Sequence, residues 1–262
     1  MSKVCQLFSG SKGNSIYIAS SSGKFLVDAG VSAKRLDGAL ESIGVDPKEL
    51  DAILITHEHS DHVCGLKVFA TRHSIPVFAH PQVLDSMRYN GIITEKTQAN
   101  AITGAVRIGG AEIIPFEQSH DSAACLGYRL NMSDSRCISV CTDTGYVTLQ
   151  AKDAITGSDL VFLESNHETT MLQNGPYPYQ LKKRILSPKG HLSNFAAAEF
   201  AAYLVQNGTT RIVLSHLSQE NNTPDVAYQT TLSSLLSCGL KENFDFRLSV
   251  SAPVNTERPI VL

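Results

Sequence analysis

A chain of 262 residues, 42% hydrophobic and 18% charged, has the composition of an ordinary globular protein and is long enough to bury a substantial core. Its net charge of −3 supplies no overall attraction to nucleic acid, so any work on DNA requires a local basic patch. The sequence has no apolar run of membrane-spanning length, no basic-then-apolar leader at its N-terminus, and six scattered cysteines without a disulfide framework, which predicts a cytoplasmic protein with reduced thiols and no membrane partner.

Lys3–Phe8, Ser15–Ala19 and Lys24–Asp28 read as three strands of a meander. The first turn, Ser9-Gly-Ser-Lys-Gly-Asn14, is small and glycine-rich. It suits either a backbone-amide cradle for phosphate or a plain hairpin turn, and it lacks the nucleotide P-loop spacing. After a helix over Ala33–Ser42, the apolar run Asp51–Ile55 reads as a buried strand. It leads directly into Thr56-His57-Glu58-His59-Ser60-Asp61-His62.

His57 and His59, two apart on extended backbone, project to the same side. Asp61 and His62 are consecutive, so they diverge and face a second point. One pair of ligands for one ion and another for its neighbour is the natural reading. Imidazole and carboxylate suit zinc, and also manganese or iron. Solvated loop histidines or one structural ion would be the plainer explanation. A structural zinc site is normally closed by four ligands, often cysteines, and no cysteine pair here has that spacing.

Further along, Gly65–His73 and Pro81–Tyr89 read as helices around a short strand, Pro76–Ala79, an alternation that argues for layered α/β structure. His73 and His80 lack ligand spacing and read as packing or surface residues. Ala111–Glu117 is a strand that runs into Ser119-His120-Asp121. Ser139-Val-Cys-Thr-Asp143 and Ile212-Val-Leu-Ser-His216 each carry a polar residue at the end of an apolar strand. Cys137 and Cys141 read as core packing. Glu164 closes another apolar strand, and Gly190-His191-Leu-Ser193 precedes an alanine-rich helix over Phe195–Val205. A late helix over Thr223–Cys238 and short strands at Asp245–Val250 and Pro259–Leu262 complete the chain. Tyr177, Tyr179, Lys182, Lys183, Arg184 and Lys189 interleave aromatic and basic residues. Such a segment either holds phosphates and stacks bases or is a solvated helix face.

His-x-His-x-Asp-His after an apolar strand resembles the signature of the metallo-β-lactamase-fold hydrolases. That resemblance implies an α/β (α+β) fold, an αββα four-layer sandwich of two mixed β-sheets flanked by helices, and one domain over residues 1–262. It also implies two divalent metal ions per chain, Zn2+ or Mn2+, with iron accepted by the same ligands. His57, His59, His120 and Asp143 would hold one ion, and Asp61, His62, Asp143 and His216 the other. Asp28 would support the cluster by holding an imidazole from behind, the plainer alternative being a strand-end aspartate that caps the helix at Ala33–Ser42.

Within the family, His59 speaks against the redox di-iron branch, which carries glutamate there. The intervals around Asp143 are too short for the inserted domain of the β-CASP nucleases or the arm of RNase Z. Glu164 and His191 resemble the dyad of RNase Z-like phosphodiesterases, in which the histidine protonates the leaving oxygen and the glutamate favours the protonated imidazole. An ion pair fastening a loop is the alternative. The strings Ser-Gly-Ser-Lys-Gly-Asn14, Glu164-Ser-Asn-His167, Gly-His-Leu-Ser-Asn194 and Leu-Ser-His-Leu-Ser-Gln-Glu-Asn-Asn222 are similar to the bacterial YycJ/WalJ-type subfamily over nearly the whole chain. Glu168 stands where that subfamily's string leads one to expect aspartate.

The subfamily is associated with 5′-to-3′ exonuclease action on DNA and with DNA-repair or cell-wall-linked loci. The implied reaction is phosphodiester hydrolysis in which Asp61 orients a water activated between two metals and His191 acts as general acid. Ser11, Asn14, His167, Tyr179, Lys182, Lys183, Arg184 and Asn221 are the expected substrate contacts. A thioesterase or lactonase using the same metals is the rival enzyme. A metal-stabilised DNA-binding module is the rival without catalysis.

Overall fold

Ala52-Ile53-Leu54 and Leu160-Val161-Phe162-Leu163 are apolar at every position, without polar alternation, because each lies in a sheet covered on both faces. Leu54 and Phe162 point between the sheets, while Ile53 and Leu163 point outward beneath helices. The computed structural model, which describes residues 1–262, assembles fourteen strands into two sheets of seven.

The first sheet contains β1 (Lys3–Phe8), β2 (Ser15–Ala19), β3 (Lys24–Val27), β4 (Ala52–Leu54), β5 (Val77–Ala79) and β6 (Ala99–Ala101). The second contains β7 (Val106–Ile108), β8 (Ala111–Glu117), β9 (Leu126–Asn131), β10 (Cys137–Cys141), β11 (Leu160–Glu164), β12 (Arg211–Ser215) and β13 (Arg247–Val250). The last strand, β14 (Ile260–Val261), returns to pair with β1 and completes the first sheet in the order 14-1-2-3-4-5-6. The second runs 13-12-11-10-9-8-7. Each sheet is antiparallel through one half and parallel through the other, with β3 and β10 at the changeover.

Helices α1 (Ala33–Ser42), α3 (Leu66–His73) and α4 (Pro81–Tyr89) pack Leu36, Leu40, Phe69 and Met87 against the outer face of the first sheet. On the opposite side, α5 (Leu149–Ile155), α8 (Asn194–Gln206) and α9 (Pro224–Ser237) cover the second. The layers are therefore αββα, with Phe25, Leu54, Tyr128 and Phe162 among the residues between the sheets. A four-residue turn of helix, α2 (Ser60–Val63), follows β4, and α6 (Thr169–Asn174) and α7 (Tyr179–Ile185) form an excursion between β11 and α8. No helix is long and apolar enough to cross a membrane.

The expected elements lie where the sequence puts them, with ends shifted by one or two residues. The run Asp51–Ile55 contributes Ala52–Leu54, and Asp245–Val250 contributes Arg247–Val250. His73 pairs with Asp37 and packs on Phe69, and His80 caps α4 by accepting from Gln82 N. None of the six cysteines is paired.

Candidate metal centre

Three strand-end residues of this fold, Asp28, Asp143 and His216, have φ of 64°, 63° and 58°. The left-handed region is unfavourable for such residues and persists only where the surroundings hold it. Here it kinks β3, β10 and β12 at their ends, and these three side chains meet in one cluster.

The N-terminal half supplies its donors from one loop. Asp28 Oδ1 accepts from Thr56 N at 2.9 Å, and its Oδ2 takes His62 Nδ1 at 2.8 Å. Thr56 Oγ1 is also 3.0 Å from His57 Nδ1. The glycine-rich turn braces the same loop through Asn14 N to Asp61 O at 2.8 Å and Gly30 N to Asn14 O at 2.9 Å. Gly30 is required there, since a Cβ would sit 1.7 Å from Asp61 O.

The C-terminal half supplies one residue per strand end. Glu164, fully buried at the end of β11, accepts four hydrogen bonds. Oε1 takes His191 Nδ1 at 2.8 Å and His216 Nδ1 at 2.9 Å, and Oε2 takes Thr144 N at 2.8 Å and Leu192 N at 3.1 Å. Its buried site would raise its pKa, but His191 and His216 reverse this and hold it well below the usual carboxylate value. His120 Nδ1 lies 3.1 Å from Gly190 O. A carbonyl only accepts, so Nδ1 carries the proton and Nε2 is left bare.

Two groups of donors result. The ring nitrogens of His57, His59 and His120 lie within 4.8 Å of one another, as do the ligand atoms of Asp61, His62 and His216. His57 Nε2 and His59 Nδ1 are 3.0 Å apart. Between the groups, Asp143 Oδ2 is 3.4 Å from His62 Nε2. The remaining edges, His62 Nε2 to Asp61 Oδ2 and His216 Nε2 to Asp61 Oδ2, are 3.5 and 3.6 Å. A tetrahedral site with zinc–nitrogen bonds of about 2.0–2.1 Å has edges of about 3.3–3.4 Å, so the spacing fits a divalent ion. Asp143 Oδ2 and His216 Nε2 are buried without a hydrogen-bond partner. Such orphaned polar atoms are rare in native proteins, and a cation between them accounts for both.

The electrostatics point the same way. Burial, then the neighbouring histidines His62, His120 and His59, push His57 well below the ordinary histidine value, leaving it neutral as a ligand must be. Burial also works against protons on His62 and His216, but Asp143 first, with Asp28 or Asp61 and Glu164 behind it, raises His62 well above its usual value and His216 to about 10. The neighbouring His216 and His62, 3.6 and 3.5 Å away, hold Asp61 well below the carboxylate range despite its burial. In the metal-free protein these protons occupy the positive end that a cation would otherwise fill.

His191 stands beside both groups, its ring centroid 5.0 Å from that of His120 and 5.2 Å from that of His216. Its Nδ1 is 3.8 Å from Asp143 Oδ1 and is tied to Glu164, leaving Nε2 free. A cavity of about 270 Å³ opens over these residues, walled also by Ser11, Asn166, Tyr177, Arg184 and Ser218. A larger cavity, about 930 Å³, lies beside the two chain ends among Lys3, Tyr17, Lys24 and Arg258, and contains no histidine.

Of the expected substrate contacts, Ser11 and Arg184 line the smaller cavity. The others have different surroundings. Asn14 is buried and holds Gly10 and Asp61; His167 is buried beside Ser193; Asn221 is buried against Ser218. Tyr179 is exposed away from the cavity wall, Lys182 Nζ bonds Gln173 O, and Lys183 does not line the cavity. Thr56, Thr144 and Gly190 carry parts of the site for which the sequence suggests no role, and Tyr177 of the aromatic–basic segment joins Arg184 at the cavity wall.

The sequence profile described as the Beta-lactamase superfamily domain matches residues 24–217. The exodeoxyribonuclease WalJ of Streptococcus pneumoniae is 38% identical, covering 98% of this chain and 97% of its own. The exodeoxyribonuclease YycJ of Bacillus anthracis is 36% identical over 84% of each chain. Among solved structures, the metallo-β-lactamase fold protein YhfI of Bacillus subtilis superposes with a TM-score of 0.71 at 18% identity, covering 97% of this chain and 98% of its own.

Proposed function

The chain belongs to the β-lactamase superfamily, and from that premise we propose that it is a metal-dependent phosphodiesterase that degrades DNA from an end, 5′ to 3′. All of residues 1–262 act as one hydrolase domain in this reading. The relatives named exodeoxyribonuclease, similar along almost their full length, support the substrate class. The observation that carries it furthest is the position of His191, tied to a buried glutamate and 3.8 Å from Asp143 at the floor of the cavity.

The proposed ligands are His57, His59, His120 and Asp143 for one divalent ion and Asp61, His62, Asp143 and His216 for the other, zinc or manganese. Two such ions, when bound, lower the pKa of water and neutralise charge on the phosphate. The residues of the chain do the rest. Asp61, ionised and pinned by Asn14 Nδ2 at 3.2 Å, orients the attacking water. Glu164 fixes the ring of His191 through Nδ1, so that Nε2 delivers the proton to the departing oxygen. Asp28 and Thr56 hold the first histidines in register. A cytoplasmic location suits a DNA substrate and six free cysteines, and DNA repair is a setting in which such an activity serves.

Incubation with end-labelled single- and double-stranded oligonucleotides, in manganese or zinc and in chelator, tests this reading. Stepwise shortening from the 5′ end that chelator abolishes is the expected result. Hydrolysis of thioesters with no action on any oligonucleotide would overturn it in favour of the thioesterase alternative.

A further inference from the structure

Arg184 is the one lysine or arginine that faces the cavity over the donor cluster. It occupies the last turn of α7, and its side chain is 47% exposed. The guanidinium meets the carboxylate of Asp121 side-on, Nε to Oδ2 and Nη2 to Oδ1, the latter at 2.9 Å. A guanidinium has five N–H donors in one rigid plane. This pairing uses two of them and leaves the edge between Nη1 and Nη2 without a protein acceptor. Asp121 thus does not consume the arginine; it fixes the plane and presents the opposite edge, the edge that matches two phosphate oxygens.

Where this edge stands decides which phosphate it meets. Asp121 Oδ1, the oxygen that accepts from Arg184 Nη2, also lies 3.5 Å from His120 Nε2. One carboxylate oxygen thus stands between the guanidinium and the nearest donor atom, which places the free edge beside the cluster, next to the phosphate that the donor atoms would hold. On that side the cavity is walled by Tyr177, Leu181 and Ile185, and its volume of about 270 Å³ lies just under the usual range of ligand cavities. That volume is on the scale of one nucleotide-sized group.

We propose that Arg184 binds the terminal phosphate of the strand while the next phosphate lies over the donor cluster, with Asp121 as its positioning residue. This rests on the nuclease reading and adds to it how an end is recognised. Loss of a charge-assisted, two-pronged hydrogen bond predicts a change of about ten- to a hundredfold.

The test uses metal-loaded full-length protein and pairs of oligonucleotides that differ only in a phosphate or a hydroxyl at the end being degraded. The wild type is expected to favour the phosphate end, chiefly through KM. Arg184→Ala brings the phosphate-to-hydroxyl ratio of kcat/KM to about one, Arg184→Lys keeps part of it, and Asp121→Asn falls between. The hydroxyl-ended strand is the internal reference for folding and metal loading. A variant that slows both strands alike and preserves the ratio overturns the proposal, as does a wild type that cleaves both ends equally while remaining an active nuclease. A wild type that cleaves no strand overturns the nuclease reading and this proposal with it.

Discussion

The two halves of the molecule are built alike and furnish the site differently. Each sheet changes from antiparallel to parallel at its fourth strand, β3 in one and β10 in the other. The first half delivers His57, His59, Asp61 and His62 from the seven-residue stretch Thr56–His62 after β4, whose end is already the first turn of α2, with Asp28 holding it through Thr56 and His62. The second delivers Asp143, Glu164 and His216 from three successive parallel strands, and His191 from the loop before α8. A contiguous loop is a device for holding ions. Separate strand ends can instead combine a ligand, a carboxylate brace and a proton donor in one hydrogen-bonded set. Loss of a residue in the first half should therefore act on metal affinity, and loss of one in the second on metal and turnover together.

The strongest challenge to that contrast is Asp143→Ala, because Asp143 stands between the two donor groups. Metal analysis should find depleted protein, and activity should fall by more than the roughly 10⁴-fold that loss of a general acid costs at most. Next comes Glu164→Gln, whose carboxylate serves both His191 and His216. It should lower kcat by about 10²–10⁴ and weaken metal binding as well, whereas His191→Ala should lower kcat over the same range with metal content intact. Comparing metal titrations with turnover for the two variants separates the roles; an inactive but fully loaded Glu164→Gln would leave the brace to His216 without function. Asp28→Asn, in the first half, should cost about 10–100-fold in metal affinity and leave kcat of the saturated enzyme near that of wild type.

The smallest effect concerns pH. His216 in metal-free protein is raised to about 10 by Asp143, Asp61 and Glu164 acting against its burial. Cation binding must displace that proton, so apparent affinity should rise by about tenfold per pH unit for each proton released, through neutral pH and up to about 10. A pH-stat measurement of zinc addition at pH 7 should record the release. The sign for stability is opposite: a raised folded-state pKa stabilises fully below the ordinary histidine value of about 6.5 and is lost as pH climbs. Chelated protein should melt lower at pH 9 than at pH 6.5.

The same contrast governs what the sequence discloses. The first-half loop is legible because its donors are neighbours in the chain, and the pleat of extended backbone already says which two face together. In the second half an apolar strand ending in aspartate, glutamate or histidine is a weak signal taken alone, and the resemblance to a family is what joins the three. Thr56, Thr144 and Gly190 are illegible for a different reason. They act through one hydroxyl, one amide and one carbonyl, groups that almost every residue carries. The segment Lys182-Lys183-Arg184 reads as one basic patch, but successive residues on a helix point about 100° apart, so only Arg184 reaches the cavity. Asn14, His167 and Asn221 carry polar side chains suited to substrate; the structure turns Asn14 to Gly10 and Asp61 and Asn221 to Ser218, and buries His167 with its Nδ1 unpartnered.

Anomalous diffraction from crystals of manganese- or zinc-loaded protein measures most directly whether the two halves share a binuclear centre. Two peaks about 3.5–4 Å apart should appear, one among His57, His59 and His120 and one among Asp61, His62 and His216, with the Asp143 carboxylate between them. A single peak in fully active protein, or peaks away from Asp143, would contradict the account.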